Sequence, residues 1–284
     1  MEAIIATQPF QLAEGQKFEK VSRELPTPEA HDILIKVYAT GINPVDTKMR
    51  QAPLNAEARV LGFDAAGVVE AVGDAVTAYE TLFDVFNISP NPQQNQGKTL
   101  FIINGAGGVG SIATQIAKTY GLTVVTTASR PETNAWSKKM GADVVLNHKE
   151  DLAKQFDDQN LSRPNYIFCT YDTDHYYDVM IDLVQPRGHI ATIVAFNKNQ
   201  DLNALKQKSI TFTHEFMFAR AIHGVDEGMY RKYLEDVTAK VDAGQYQTTL
   251  NSVLTGLTPE NVLKAHEMME AQSHIGKLVI EIVE

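Results

Sequence analysis

Residues 105–110 are Gly105-Ala106-Gly107-Gly108-Val109-Gly110, a stretch with the spacing G-x-G-x-x-G. It follows an apolar run that predicts a strand and precedes an amphipathic segment that predicts a helix, the context in which this spacing binds a dinucleotide. Gly105 would allow a tight turn, Gly107 a close approach of the backbone to a pyrophosphate, and Gly110 close packing of the helix on the sheet. The alternative is a glycine-rich turn without a ligand, although a structural turn needs only one or two glycines.

From Thr99 onward, short apolar runs alternate with amphipathic segments. Such runs are typical of strands buried on both faces of a parallel sheet that helices cover. In the first amphipathic segment Ile112, Ile116 and Tyr120 recur at helical spacing, and Gly121 stands where a helix usually ends. The sequence therefore predicts an α/β fold with a doubly wound parallel sheet of six strands. The predicted strands are Leu100–Ile103, Val124–Thr127, Val144–Leu146, Tyr166–Cys169, Ile190–Val194 and Ile210–Thr213.

The residues that follow the second predicted strand bear on the choice of dinucleotide. NAD sites usually place Asp or Glu about 20 residues beyond the glycines, to bind the ribose 2'-hydroxyl. Here the sequence is Ala128-Ser129-Arg130, with a cation and no acid. Because Arg can bind phosphate oxygens in a bidentate manner, NADP(H) is favoured over NAD(H). Ser129 and Glu132 also fit a capping box for the next helix, which is compatible with a phosphate contact by Arg130.

Both ends of the chain are predicted to be β-rich. Ile33–Ala39 alternates apolar and polar residues, and Ala65–Val72 is rich in β-forming residues. After a helical stretch that ends near Ala243, strand patterns return, so the C-terminal part is placed with the N-terminal part. The polar stretch Pro90–Gly97 predicts a loop or linker. The expected organisation is a β-domain of residues 1–80 and 247–284, with a nucleotide-binding domain of residues 81–246 inserted.

Length and composition exclude several classes of protein. A chain of 284 residues suggests two domains, and 44% hydrophobic with 21% charged residues is typical of a folded globular protein. The net charge of −10 argues against nucleic acid or anionic membrane as the main partner. The single cysteine, Cys169, cannot form an intrachain disulfide, and no apolar run is long enough to span a membrane. A cytoplasmic enzyme is expected.

Further stretches carry a likeness to one known family. They are Gly41–Lys48, Leu61–Val69, the glycine stretch, Thr127–Thr133, Gly141–Asp143, Asn147–His148 and Ile275–Val279. Taken together, they make the sequence resemble the zinc-free, quinone oxidoreductase-like branch of the medium-chain dehydrogenase/reductase superfamily, which is related to zinc alcohol dehydrogenases. The resemblance implies a GroES-like β-domain with a Rossmann domain inserted in it. It also implies an active site in a cleft between the two domains.

The resemblance also indicates that no zinc is bound. Zinc enzymes of the superfamily have a Cys near the start of the loop that here is Asn43–Asp46, and a His where this chain has Phe63. Phe63 cannot bind a metal, and a single cysteine cannot build a Cys-rich site. The eight histidines show no ligand pair on one helix, and His214 and His223 are interpreted as surface or packing residues. Without a Lewis acid, the expected chemistry is direct hydride transfer to a quinone or an activated enone.

The resemblance places three residues of the N-terminal motif, Asn43, Asp46 and Lys48, beside the nicotinamide as candidate catalytic residues. Lys48 could donate a hydrogen bond to a carbonyl oxygen that gains charge, and Asn43 could orient substrate or ribose. The alternative is that Asn43-Pro44 forms a simple turn and that Lys48 is a solvated helix residue.

Two further residues are assigned to the cofactor by resemblance. His148 would lie near the adenosine phosphate and Phe196 near the nicotinamide, although a single His after a strand is also a common surface residue. Polar residues after the fourth predicted strand, around Asp172, receive no role. The complete set of candidate cofactor-binding residues is Gly105, Ala106, Gly107, Gly108, Val109, Gly110, Ser129, Arg130, His148 and Phe196.

The chain departs from this family after Thr77. There, members of the family continue with a long block of the first domain, whereas this chain passes directly to Ala78-Tyr79-Glu80. The absent block normally forms one wall of the substrate cleft. Two classes of function therefore stay open: an NADPH-dependent reductase of a small molecule, or an NADP(H)-binding protein without catalytic activity. A homodimer is expected in either case, because relatives are often dimers.

Overall fold

A computed structural model describes residues 1–25, 37–53, 59–62, 64–66, 72–226, 228–271 and 274–283. The chain divides into two compact units. The terminal unit comprises Met1–Ala71 with Thr249–Glu284, and the central unit comprises Val72–Thr248. Most of the predicted strand Ile33–Ala39, and Phe63, lie outside the described residues. Within the described ranges, no helix is both long and apolar enough to cross a membrane.

The central unit contains six parallel strands in its described residues: β6 (Thr99–Ile103), β7 (Thr123–Thr127), β8 (Val144–Leu146), β9 (Tyr166–Cys169), β10 (His189–Thr192) and β11 (Thr211–His214). They form one sheet in the order β11-β10-β9-β6-β7-β8. This confirms the predicted α/β fold with a doubly wound sheet. The order of the strands along the chain reverses between β6 and β9, and ligands bind at such a point in this class of sheet.

The strands of the central sheet are apolar because helices cover both of its faces. In β6, Leu100 and Ile102 pack with Ile116 on one face, whereas Phe101 and Ile103 belong to a second core on the other face. Full burial of each such side chain contributes about 1.5 to 3 kcal/mol. The helices of the central unit include α3 (Gly108–Thr119), α4 (Pro131–Lys139), α5 (Leu152–Asp158), α6 (Thr173–Leu183), α7 (Ala219–His223) and α8 (Gly228–Asp242).

The segment before β6 also belongs to the central unit, whereas the sequence assigns residues up to 80 to the β-domain. Val72–Tyr79 forms a helix, α2, and Glu80–Val85 continues it as a π-helical turn. Ala75, Ala78 and Tyr79 are buried in the same core as α3. The predicted strand Ala65–Val72 is therefore wrong at its end, because Val72 begins a helix whose small residues pack on the nucleotide unit.

The polar stretch Pro90–Gly97 is not a linker between the two units. It lies inside the central unit and contains a 3-10 turn, Pro92–Asn95. Asn95 is fully buried, and its Nδ2 donates hydrogen bonds of 2.8 Å each to the carbonyl oxygens of Ser89 and Tyr120. Buried polar groups need such partners, so a polar composition can mark a packed turn as well as an exposed linker.

The terminal unit is built from both ends of the chain. Its described elements are β1 (Glu2–Ala6), β2 (Phe18–Ser22), β3 (Ala39–Ile42), α1 (Pro44–Gln51), β4 (Arg59–Val60), β5 (Asp64–Ala66), β12 (Leu250–Thr255), α9 (Pro259–Glu270) and β13 (Lys277–Glu281). Strands β2-β1-β4 form one sheet, and β12-β13-β3-β5 form a second. A β-rich unit built from both chain ends agrees with the expected GroES-like domain. The first third nevertheless contains a short helix, α1, that the β-rich pattern does not predict.

Candidate functional site

A tight turn at the carboxyl end of β6 connects this strand to α3. Asn104 has the left-handed φ of 71°. Its N–H donates to Thr127 Oγ1 at 2.9 Å, so the turn is anchored on β7. The Gly107 N–H then donates to the Asn104 carbonyl oxygen at 3.3 Å, and Gly107 is the N-cap residue of α3. The first N–H groups of α3 therefore emerge at the carboxyl edge of the sheet.

Three glycines of the turn stand where a Cβ would come closer than 3.0 Å to a neighbouring atom. A Cβ on Gly105 would lie 2.5 Å from Thr126 Cβ, and one on Gly107 would lie 2.8 Å from Asn104 Nδ2. A Cβ on Gly110 would overlap the Asn104 carbonyl oxygen. The turn, the exposed backbone and the close packing of the helix thus all depend on the absence of side chains. This arrangement fits a pyrophosphate held by backbone N–H groups.

We expect Gly110→Ala to lower the free energy of unfolding by about 1 to 3 kcal/mol, because the overlap is with backbone that cannot rotate away. Thermal unfolding followed by circular dichroism measures the effect. Gly228→Ala is the matched control, since a Cβ at Gly228 meets nothing within 4 Å. Equal melting temperatures for the two variants would contradict the close packing at Gly110.

A carboxylate lies against the first residue of α3. A Cβ on Gly108 would overlap Asp74 Oδ2, so the Asp74 side chain occupies the space next to the Gly108 backbone. Asp74 itself belongs to the first turn of α2. No pattern in the sequence indicates this contact, because the two residues belong to different elements that meet only in the folded unit.

Arg130 follows the carboxyl end of β7, next to Ser129. It is the N-cap residue of α4, and its N–H donates to Thr133 Oγ1 at 3.2 Å. Thr133 Oγ1 in turn donates to the Arg130 carbonyl oxygen at 2.9 Å. The predicted capping box of Ser129 and Glu132 is therefore wrong by one residue. The helix begins at Pro131, and the cap holds the backbone of the residue whose side chain is the candidate phosphate ligand.

His148 lies just beyond the carboxyl end of β8 and is half-buried. Burial lowers the pKa of His148 below its usual value, and the charges of Lys149, Arg130 and His175 lower it further. The structure thus brings Arg130, His148 and His175 together at the edge that also carries the glycine turn. A neutral imidazole next to cationic side chains can donate a hydrogen bond to an anionic ligand while the cations supply the charge.

Phe196 lies beyond β10 in a cluster of aromatic rings. Its ring centroid is 5.4 Å from that of Tyr177, 5.6 Å from that of Phe212 and 5.3 Å from that of His214. These contacts account for the position of Phe196 by packing. They also place His214, interpreted from the sequence as a surface or packing residue, among packing contacts.

The candidate catalytic residues lie around the start of α1. Asn43 is the N-cap residue of α1, and its N–H donates to Oδ2 of the fully buried Asp46 at 2.7 Å, so the two residues form a capping box. Lys48 is exposed on α1. Lys277, which the sequence reasoning missed as a site residue, is buried and its Nζ donates to Asn43 Oδ1. In the sequence, Lys277 is marked as a possible site residue only by its position in the stretch Ile275–Val279, which shares the family resemblance.

Metal binding and thiol chemistry would require particular side-chain groups among the described residues. Among them, no group of three or more His, Cys, Asp or Glu side chains could hold a metal ion. Cys169 is buried and its thiol contacts the Tyr171 carbonyl oxygen at 2.7 Å. Burial raises the pKa of Cys169 to about 12. Since the thiolate is the reactive form, this cysteine is unreactive at neutral pH.

Comparison with known proteins identifies the class. Residues 29–128 match the family model described as the alcohol dehydrogenase GroES-like domain, and residues 108–239 match the one described as zinc-binding dehydrogenase. A zinc-type alcohol dehydrogenase-like protein of Staphylococcus aureus strain MSSA476 is 50% identical over 335 aligned positions, which cover 99% of this chain and 100% of the relative. Rat quinone oxidoreductase is 29% identical over 173 residues, 44% of this chain and 53% of the relative.

Solved structures agree with these relatives. A candidate zinc-dependent alcohol dehydrogenase of Rhizobium etli CFN 42 superposes with a TM-score of 0.91 at 30% identity, covering 100% of this chain and 98% of that one. Escherichia coli quinone oxidoreductase, crystallised with NADPH, gives a TM-score of 0.79 at 17% identity, covering 99% and 100%. The chain belongs to the medium-chain dehydrogenase/reductase superfamily, which includes these zinc-type alcohol dehydrogenase-like proteins.

The alignment with the staphylococcal protein also contains positions at which this chain has no residue. It extends over 335 positions and covers the whole relative, whereas this chain has 284 residues. A shortened chain of this kind agrees with the segment that the sequence reasoning finds missing after Thr77.

Proposed function

We propose that the protein is an NADPH-dependent oxidoreductase that transfers hydride to a quinone or an activated enone without zinc. The observation that carries the proposal is the glycine turn of β6, with Arg130 after β7 and His148 after β8, the next two strands of the sheet. Membership of an oxidoreductase superfamily supports it, as does the NADPH bound by the Escherichia coli relative.

The residues of the central unit fit the proposed cofactor. The crowded glycines leave backbone N–H groups of α3 available to a pyrophosphate, and Arg130 provides a cation for the 2'-phosphate. His148, uncharged at neutral pH, can donate a hydrogen bond to a phosphate oxygen. Bound NADPH would supply the hydride. In the terminal unit, Asn43 and Lys48 are proposed to orient the acceptor and to stabilise charge on its oxygen.

We expect Arg130→Ala to remove most of the preference for NADPH over NADH. A charge-assisted hydrogen bond to phosphate contributes about 1.5 to 3 kcal/mol, or roughly 10- to 100-fold in Kd. Fluorescence titration with both dinucleotides measures the ratio of the two Kd values. Lys206→Ala is the control, because Lys206 is exposed on a distant 3-10 helix and its loss should leave the ratio unchanged. Equal Kd values in the unmutated protein would contradict the assigned cofactor.

The shortened chain supports a second candidate, an NADP(H)-binding protein without turnover. A steady-state assay with NADPH and a panel of quinones and enones, run beside the binding titration, separates the two. Turnover that survives dialysis against a chelator and falls in Lys48→Ala supports the reductase. Tight binding of NADPH with no turnover on any acceptor supports the second candidate. Sedimentation of the same samples tests the proposed homodimer.

A further inference from the structure

The Asp74 carboxylate lies against the first residue of α3, the helix that follows the glycine turn. A Cβ on Gly108 would overlap Asp74 Oδ2 and lie 3.1 Å from Asp74 Cγ. The carboxylate therefore packs directly on the backbone of the first turn of α3. Gly108 is the first residue of that helix, immediately after the N-cap residue Gly107.

Two helices begin close to this carboxylate. Asp74 lies in the first turn of α2, which starts at Val72, and its side chain meets the first turn of α3. A helix N-terminus carries a partial positive charge and N–H groups without intrahelical partners, so it favours an anion. Asp74 thus places a negative charge next to the first residue of α3.

The pyrophosphate of a bound dinucleotide would use the same part of α3. In folds of this class it lies at the N-terminus of the helix that follows the glycine turn. We propose that Asp74 competes with the pyrophosphate for this position and thereby lowers the affinity of the protein for NADP(H). This inference rests on the proposed function, since it assumes that the dinucleotide binds at the glycine turn.

The helix that carries Asp74 is held in place, so the helix cannot easily withdraw the carboxylate. Ala75 and Ala78 are buried against the core shared with α3. Tyr79 stacks on Tyr233 with ring centroids 5.2 Å apart, and its hydroxyl lies 3.2 Å from that of Tyr246. Relief of the competition therefore requires rotation of the Asp74 side chain, or loss of its charge.

The experiment compares Asp74→Asn with the unmutated protein in a fluorescence titration with NADPH. We expect the Kd for NADPH to fall about tenfold, because the substitution removes one negative charge from the position proposed for the pyrophosphate. The matched control is Asp178→Asn, which removes the same charge from an exposed position on α6. This control should change the Kd less than twofold.

A second probe, 2'-AMP, separates competition at the pyrophosphate from a general effect. It carries the adenosine and the 2'-phosphate but no pyrophosphate, so its Kd should be the same in Asp74→Asn as in the unmutated protein. Asp74→Ser provides a second neutral variant compatible with a helix start, in case the amide destabilises α2. Circular dichroism confirms that each variant is folded.

Each outcome decides the question. Tighter NADPH binding with unchanged 2'-AMP binding supports the competition. An unchanged Kd for NADPH in both neutral variants overturns it and leaves the proposed function intact. Equal tightening of NADPH and 2'-AMP also overturns it, because the effect would then not involve the pyrophosphate. Folded variants that bind neither probe would overturn the proposed function together with this inference.

Discussion

Replacing Glu270 by Ala is expected to lower the free energy of unfolding by about 3 kcal/mol. Glu270 pairs with Arg50, whose side chain is 0% exposed and lies over the Phe10 ring at 4.8 Å. Loss of the carboxylate leaves a buried cation without its counter-charge, which typically costs about 3 to 5 kcal/mol. The lower end of this range is expected because the Glu270 side chain is 29% exposed to solvent. Urea unfolding at pH 7 measures the change.

Two controls isolate the buried cation as the cause. Glu235→Ala breaks an exposed pair with Arg231 on α8 and should leave the free energy of unfolding almost unchanged. The double variant Arg50→Met with Glu270→Ala removes both charges and should recover most of the lost stability. If Glu270→Ala and Glu235→Ala lower the free energy of unfolding equally, the buried Arg50 does not depend on Glu270 for its stability, and the prediction is contradicted.

Stability should also fall as the pH decreases from 7 to 5, by about 2 kcal/mol through His266 alone. His266 is fully buried on α9, and burial, followed by repulsion from Arg50, lowers its pKa to about 4. The unfolded chain, with a His pKa near 6.5, binds the proton more readily between pH 6.5 and pH 4. The contribution of neutral His266 to the free energy of unfolding is therefore complete above pH 6.5 and is lost as the pH falls towards 4.

The variant His266→Leu tests this pH dependence. It removes the titrating group, so the difference in unfolding free energy between pH 7 and pH 5 should shrink by about 2 kcal/mol relative to the unmutated protein. His223→Gln, at an exposed position of α7, should leave that difference unchanged. An identical pH profile for His266→Leu and the unmutated protein would show that His266 does not titrate in this range.

The central sheet could be predicted from the sequence because its strands are buried on both faces. Burial on both faces requires uninterrupted apolar runs, and β6, with all five residues buried, is the clearest example. The glycine turn was predictable for a similar reason. A Cβ on Gly105 would overlap Thr126 Cβ and one on Gly110 would overlap the Asn104 carbonyl oxygen, so both positions have a local steric demand that only glycine meets.

Other features depend on partners that are distant in the sequence. Arg50 and Glu270 are 220 residues apart, so nothing near Arg50 indicates that the cation is buried. Similarly, the helix that starts at Val72 is selected by packing of Ala75 and Ala78 on α3, although the preceding residues favour a strand. Asp74 reaches Gly108 only because this helix forms.

The two-part construction of the terminal unit sets the order of events during synthesis on the ribosome. In the described sheet β12-β13-β3-β5, strand β3 pairs with β13, which is translated only after the entire central unit. At about 5 to 20 residues per second, the ribosome needs roughly 10 to 40 s to make the central unit. During this interval Ile4 of β1 and Ile42 of β3 lack the core residues that α9 and β13 contribute. The nascent N-terminal segment therefore exposes apolar surface that chaperones can bind.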